Sequence, residues 1–283
     1  MLGWLFARGA SKHRTARMQA RIDTELWTQT LAAHPFLARL LPEQQAALQA
    51  RAAWFLASKA MTGAGGQEVT DEIRLSIAAQ ACLPILNLAP SLYDGWSEVI
   101  VYPSGFLIPR ADVDEDGVVH EYVEEAAGEA WEGGPVVLSW EDAGPDGLRP
   151  PGFNVVVHEF AHKLDLQYGQ ADGMPSLHAH PDIKPRLWRT VLERSFDALV
   201  DQLERIEAAI PPDIDPESEA ADAWYAQLPL DPYAATDEAE FFAVSSEAFF
   251  VHPAPLQAAM PEWYGLLARY YRQDPMAAPG LPR

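Results

Sequence analysis

A chain of 283 residues, 48% of them hydrophobic, can bury a sizeable core without covalent staples, and its single cysteine, Cys82, excludes an internal disulfide and any cysteine-based zinc finger. Against 20 Lys and Arg stand 41 Asp and Glu, a net charge of -21 that repels phosphates over most of the surface and disfavours direct nucleic-acid binding. His, Asp and Glu are the metal ligands that remain.

Residues 1–21 hold a few apolar residues followed by concentrated positive charge. The apolar run is too short for a signal-peptide core or a membrane span, so the expectation is a basic, flexible N-terminal segment on a cytoplasmic protein that engages no membrane. From Ile22 to Lys59, Trp27, Leu31, Leu37, Leu48, Ala52 and Phe55 recur at helical spacing and predict two helices broken near Pro42. Gly63 to Gly66 reads as a turn; it lacks the preceding strand and the GK[ST] ending of a phosphate-binding loop. A further helix is expected from Thr70 through Leu88, with Cys82 as a buried small hydrophobe rather than a nucleophile. Positions 22–92 thus form an N-terminal helical part.

Beyond Tyr93 the residues turn β-branched and punctuated. Glu98 to Tyr102, Val118 to Val123 and Val136 to Trp140 predict strands of a small mixed sheet packed on the helix that follows, with VVLSW as an edge strand open to an extended peptide. Asp112, Asp114 and Asp116 resemble the start of a calcium loop, but Gly117 falls one position early and no closing Glu follows, so a solvated hairpin is expected. Pro185 to Ile210 reads as a long amphipathic helix and Pro211 to Leu230, rich in Pro and acid, as an exposed loop or insertion. Helices are expected over Glu238 to Phe250 and Pro255 to Tyr271. Residues 93–274 would form the catalytic part, one compact unit with the helical part, and 275–283 a disordered tail.

The chemistry concentrates in VVVHEFAHKLD, Val155 to Asp165. His158 and His162, four apart on a helix, project two imidazoles from one face at a spacing that one metal ion bridges; Glu159 falls about 100° round, where it can hold a water against the metal without being a ligand. Two histidines leave a tetrahedral zinc short of a third protein ligand. A His six residues after His162 would complete a metzincin site, but Tyr168 stands there and Asp165 replaces the expected Gly, so that class is rejected. A Glu on a later helix remains, and in EFFAVSSEAFF both Glu240 and Glu247 lie on one stripe with Ala243 and Val244. Small Ala243 permits close approach to the metal helix, and the carboxylate that is not a ligand, like Asp165, stands where a partner for an imidazole N–H is wanted. His178 and His180, in LHAHPD, read as inert surface histidines.

IAAQACLPILNL, VIVYPSGF, VVLSW, NVVVHEFAHKLD and EFFAVSSEAFF together resemble the Mlc titration factor A family of bacterial zinc metallopeptidases, over most of the chain from about Trp54 to Phe250. The resemblance implies a mostly helical α+β, zincin-like fold related to the anthrax lethal factor metalloprotease domain. It implies one zinc held by His158, His162 and a downstream Glu, with Glu159 as general base. Lethal factor also places a Tyr seven residues before its ligand Glu, and Tyr233 stands seven before Glu240, which favours Glu240 as the ligand and gives Tyr233 the role of hydrogen-bond donor to the oxyanion. The implied activity is aminopeptidase-like hydrolysis of peptides, and the implied partner is the glucose-responsive repressor Mlc. The alternative is a non-catalytic protein that sequesters the repressor, with a structural or vestigial zinc. The Pro-rich acidic stretch between His162 and Glu240 departs from the family pattern, just where a substrate cleft would be shaped.

Overall fold

The computed structural model describes residues 22–113, 119–145, 151–216 and 218–277. The expectations for the basic first 21 residues, for the Asp114 to Gly117 part of the acidic stretch and for the last six residues of the tail lie outside them. The chain divides into two compact units, Met1–Leu83 with Asp94–Leu148, and Pro84–Tyr93 with Arg149–Arg283.

In the first unit the elements are α1 (Thr24–Ala33), α2 (Pro35–Ala38), α3 (Pro42–Ser58), β1 (Ala60–Gly63), α4 (Asp71–Cys82), β2 (Glu98–Tyr102), β3 (Phe106–Val113), β4 (Val119–Ala126), β5 (Gly128–Ala130), β6 (Val136–Ser139) and α5 (Trp140–Ala143). The first helical stretch breaks twice rather than once. Pro35 and Pro42 each open a new helix, because proline tolerates the first turn but cannot continue a helix already running. α4 stops at Cys82, short of the expected Leu88, just before Pro84. Its residues from Leu75 to Cys82 are all buried, Cys82 among them, so this helix is a core element on every face.

Four strands form a mixed sheet in the order β1-β2-β6-β5, with β1, β2 and β6 parallel and β5 antiparallel to β6. Val136, Val137 and Leu138 therefore have partners on both sides, which overturns the expectation of an open edge at VVLSW. The edges are β1 and the three-residue β5. β3 and β4 pair as a separate antiparallel hairpin, Phe106 opposite Ala126 through Val113 opposite Val119.

The second unit holds the 3-10 turn Pro90–Tyr93, α6 (Val155–Asp165), α7 (Pro185–Glu207), α8 (Asp222–Tyr225), α9 (Glu238–Val251), α10 (Pro253–Ala259) and α11 (Pro261–Tyr271). Its core is aromatic: the Trp188 ring meets those of Phe242, Trp263 and Tyr270 at centroid distances of 6.1, 5.0 and 5.5 Å. Phe160 of α6 packs on Tyr93 at 5.2 Å. The last predicted helix is two, divided before Pro261. The 211–230 stretch is more than an exposed loop: it makes a 3-10 turn over Glu219–Ala221 and then α8, and Ala221 and Leu230 are buried. Among the described residues no helix is long and apolar enough to cross a membrane.

Candidate metal centre

α6 begins where Asn154 leaves helical geometry and its side chain accepts the Val157 N–H at 2.8 Å, which satisfies one of the unpaired donors of the first turn. α9 begins in the same manner, with Asp237 Oδ1 accepting from Ala239 N at 2.8 Å and Glu240 N at 2.9 Å. Both starts are thus fixed by sequence-local caps. The two helices pack against each other; Ala161 on α6 and Ala243 on α9 are fully buried, and the four phenylalanines of α9 go into the core.

On this frame His158 Nε2, His162 Nε2 and Glu240 Oε2 form a triangle with sides of 3.1, 3.1 and 3.3 Å. A tetrahedral ion with ligands at about 2.05 Å separates them by about 3.3 Å, so the triangle has the size such an ion demands. The donor chemistry agrees. A proton can bridge one pair of such atoms, whereas a cation satisfies all three. Among the described residues this is the one cluster of His, Cys, Asp and Glu placed to hold a metal.

Glu247 lies on the other side of the His158 ring. Its Oε1 is 2.7 Å from His158 Nδ1 and its Oε2 accepts the Asn154 backbone N–H at 2.5 Å. With Nδ1–H donating to Glu247, Nε2 keeps its lone pair and is aimed at the triangle. One carboxylate thus fixes both the start of α6 and the orientation of an imidazole. Asp165 is placed differently from its expected parallel role. Its Oδ2 accepts from Gly173 N at 2.7 Å, and Gly173 O in turn accepts from Trp188 Nε1 at 2.9 Å. Gly173 has φ +72, and a Cβ there would meet Glu238 O at 2.4 Å, so this glycine allows the loop to pass close beneath the start of α9.

The electrostatics follow from the geometry. Burial pulls the His158 imidazole down, but hydrogen bonds to Glu240 and Glu247 and the surrounding carboxylate charges outweigh it and hold it well above its ordinary value. Burial would raise Glu240, yet its contacts with both imidazoles hold it well below the usual carboxylate range. Glu159 is buried beside them, and burial pushes its carboxyl up to about 7 against the pull of His158 and His162. Burial likewise takes Asp165 to about 6, opposed by the Gly173 N–H.

Tyr233 sits in the 3-10 turn Pro232–Ala235, pinned by Asp231 Oδ1 accepting its N–H at 2.9 Å. Its ring lies 6.1 Å from that of His158, and 48% of the residue remains exposed. All five residues singled out from the sequence therefore belong to the second unit, three as the triangle and Tyr233 and Glu159 around it. The supports at Asn154 and Gly173 went unread. Asn154 carries a usable signal, a capping residue just before a helical run, whereas nothing local marks Gly173. His180 is buried against Tyr270 at 4.9 Å, so it is no surface histidine; His178 is exposed.

The family model described as glucose-regulated metallo-peptidase M90 matches residues 8–272. The chain belongs to that family. Among its relatives are proteins named Mlc titration factor A from Pectobacterium atrosepticum, 35% identical over 260 residues that cover 92% of this chain and 90% of the other, and from Klebsiella pneumoniae subsp. pneumoniae, 37% identical over 252 residues covering 89% and 87%. Another from Serratia proteamaculans is 34% identical over 260 residues, covering 92% and 91%. For a metallo-peptidase M90 family member a metal ion at the triangle is the natural reading of the convergent donors.

Proposed function

We propose that this chain is a zinc-dependent peptidase of zincin-like fold, aminopeptidase-like and cytoplasmic, with one zinc held by His158, His162 and Glu240. The observation that carries the reading is the triangle of two imidazole nitrogens and one carboxylate oxygen, 3.1 to 3.3 Å apart, beside a buried carboxylate that is not part of it. Zinc held there supplies Lewis acidity, which acidifies water and polarises a carbonyl oxygen. Glu159 accepts the proton of the attacking water at its carboxylate and returns it to the leaving amine, a transfer its buried position shields from bulk solvent. Glu247 holds the His158 ring so that Nε2 stays unprotonated. Tyr233, on the exposed side, donates its O–H to the oxygen on which negative charge develops, a role worth very roughly 3 kcal/mol at comparable oxyanion donors.

Zinc content and peptide hydrolysis measured together test the reading. Glu159→Gln should keep zinc and lose about 100- to 10,000-fold in turnover, and His162→Ala should lose both. Full hydrolysis by a metal-free Glu159→Gln protein would end it. Because the relatives carry the name Mlc titration factor A, a second reading is that this chain binds a transcriptional repressor of that kind, with the metal structural. Capture of the repressor by Glu159→Gln protein, with the cellular effect unchanged, would separate that role from hydrolysis.

A further inference from the structure

Next to Glu247 and Tyr233 the second unit holds an open pocket of about 710 Å³, within the roughly 300–1,000 Å³ of small-ligand pockets. It meets the candidate centre at two side chains. Glu247, hydrogen-bonded to His158, and Tyr233, whose tilted ring lies 6.1 Å from the same imidazole, both line it. Away from them the walls are apolar, with Phe153, Leu228, Leu230 and Val244. At its edge stand the exposed carboxylates of Asp222 and Asp231, and exposed His252. One wall comes from the 222–230 segment, through Tyr225, Ala226, Leu228 and Pro229.

We propose that this cavity is the side-chain pocket of the peptidase site, taking one bulky apolar side chain of the residue at the scissile bond and excluding an acidic one. The inference rests on the peptidase reading above. A peptide laid over the triangle passes Tyr233, and a side chain directed past Tyr233 leaves water for apolar walls. A Glu side chain in the same place would lose its hydration while approaching Asp222 and Asp231, so its charge is repelled rather than repaid. The segment between the metal ligands therefore sets which peptides are accepted, while the triangle sets what is done to them.

Calorimetric titration of zinc-loaded Glu159→Gln protein with short peptides, identical except for Gly, Ala, Leu, Phe or Glu on either side of the scissile bond, tests this. The same peptides are offered to the unaltered enzyme for hydrolysis. Leu and Phe should bind roughly ten- to hundredfold more tightly than Gly, as expected for burying side chains of that size, and Glu more weakly than Gly. Ala226→Trp, filling the cavity from its exposed wall, should abolish the preference with zinc content and melting temperature unchanged; Ala226→Ser should retain it. Equal affinity across the series, or a preference that survives Ala226→Trp, overturns the pocket. Hydrolysis without preference overturns it too but leaves the peptidase reading standing. Apolar preference in binding without any turnover keeps the pocket and ends the peptidase reading.

Discussion

His34 in the first unit and His158 in the second are both held in the interior, yet their surroundings push their pKa values in opposite directions. His34 Nε2 lies 2.7 Å from the Ser76 hydroxyl, and burial takes its pKa down to about 4. His158 is flanked by Glu240 and Glu247 and is held well above the ordinary value. Burial alone thus disfavours the cation, and carboxylates on both ring nitrogens reverse the outcome. A neutral hydroxyl makes a quiet core residue; convergent carboxylates make a place for positive charge. The first unit uses its histidine to fill space, the second to gather electron pairs.

The sharpest way to break this contrast is to remove the carboxylate on the triangle. Glu240→Ala leaves two protein ligands and should reduce zinc affinity by well over about 100-fold, measured by competition with a chromogenic chelator. A protein that keeps its zinc after this change would show that the two histidines are not gathered around a metal.

The next largest effect concerns His34. Its folded pKa lies below the unfolded value of 6.5, so between about 4 and 6.5 the unfolded chain binds the extra proton and stability rises with pH. The stability it supports is complete above about pH 6.5 and is lost as pH falls towards 4, up to about 3 kcal/mol. Denaturant titrations at pH 7 and pH 4.5 should show this slope in the native protein and a flatter one in His34→Gln; equal slopes would remove the comparison's first half.

Glu247→Ala should cost about 10- to 100-fold in zinc affinity, less than Glu240→Ala, because it frees the His158 ring without removing a ligand. A greater loss than for Glu240→Ala would exchange the two roles. Ser76→Ala is the mildest change. It leaves His34 without its hydroxyl partner and should lower stability by about 1 kcal/mol at pH 7, read from the denaturant midpoint.

The parts legible in the sequence are those whose physics is local. His158, Glu159 and His162 announce themselves because one helical turn sets their relation. Choosing between Glu240 and Glu247 was beyond periodicity, since seven residues return to the same stripe. The choice depends on where α6 lies along α9, a tertiary fact. β1 escaped notice because its four residues bury only Met61 and exist as a strand through pairing with β2, nearly forty residues away. The wall at 222–230 was hidden by composition: prolines and acids read as solvent, and only Ala221 and Leu230 tie the stretch inward.

The clamp made by Glu247 has a consequence for the newborn chain. His158 and Glu247 are separated by 89 residues, and His162 and Glu240 by 78. At about 5–20 residues per second, a ribosome takes several seconds to travel from the histidine motif to both glutamates. Throughout that interval the nascent polypeptide carries half a metal site with an unsteadied imidazole. Arrested chains ending before Glu240 should therefore hold zinc far more weakly than chains released after Val251.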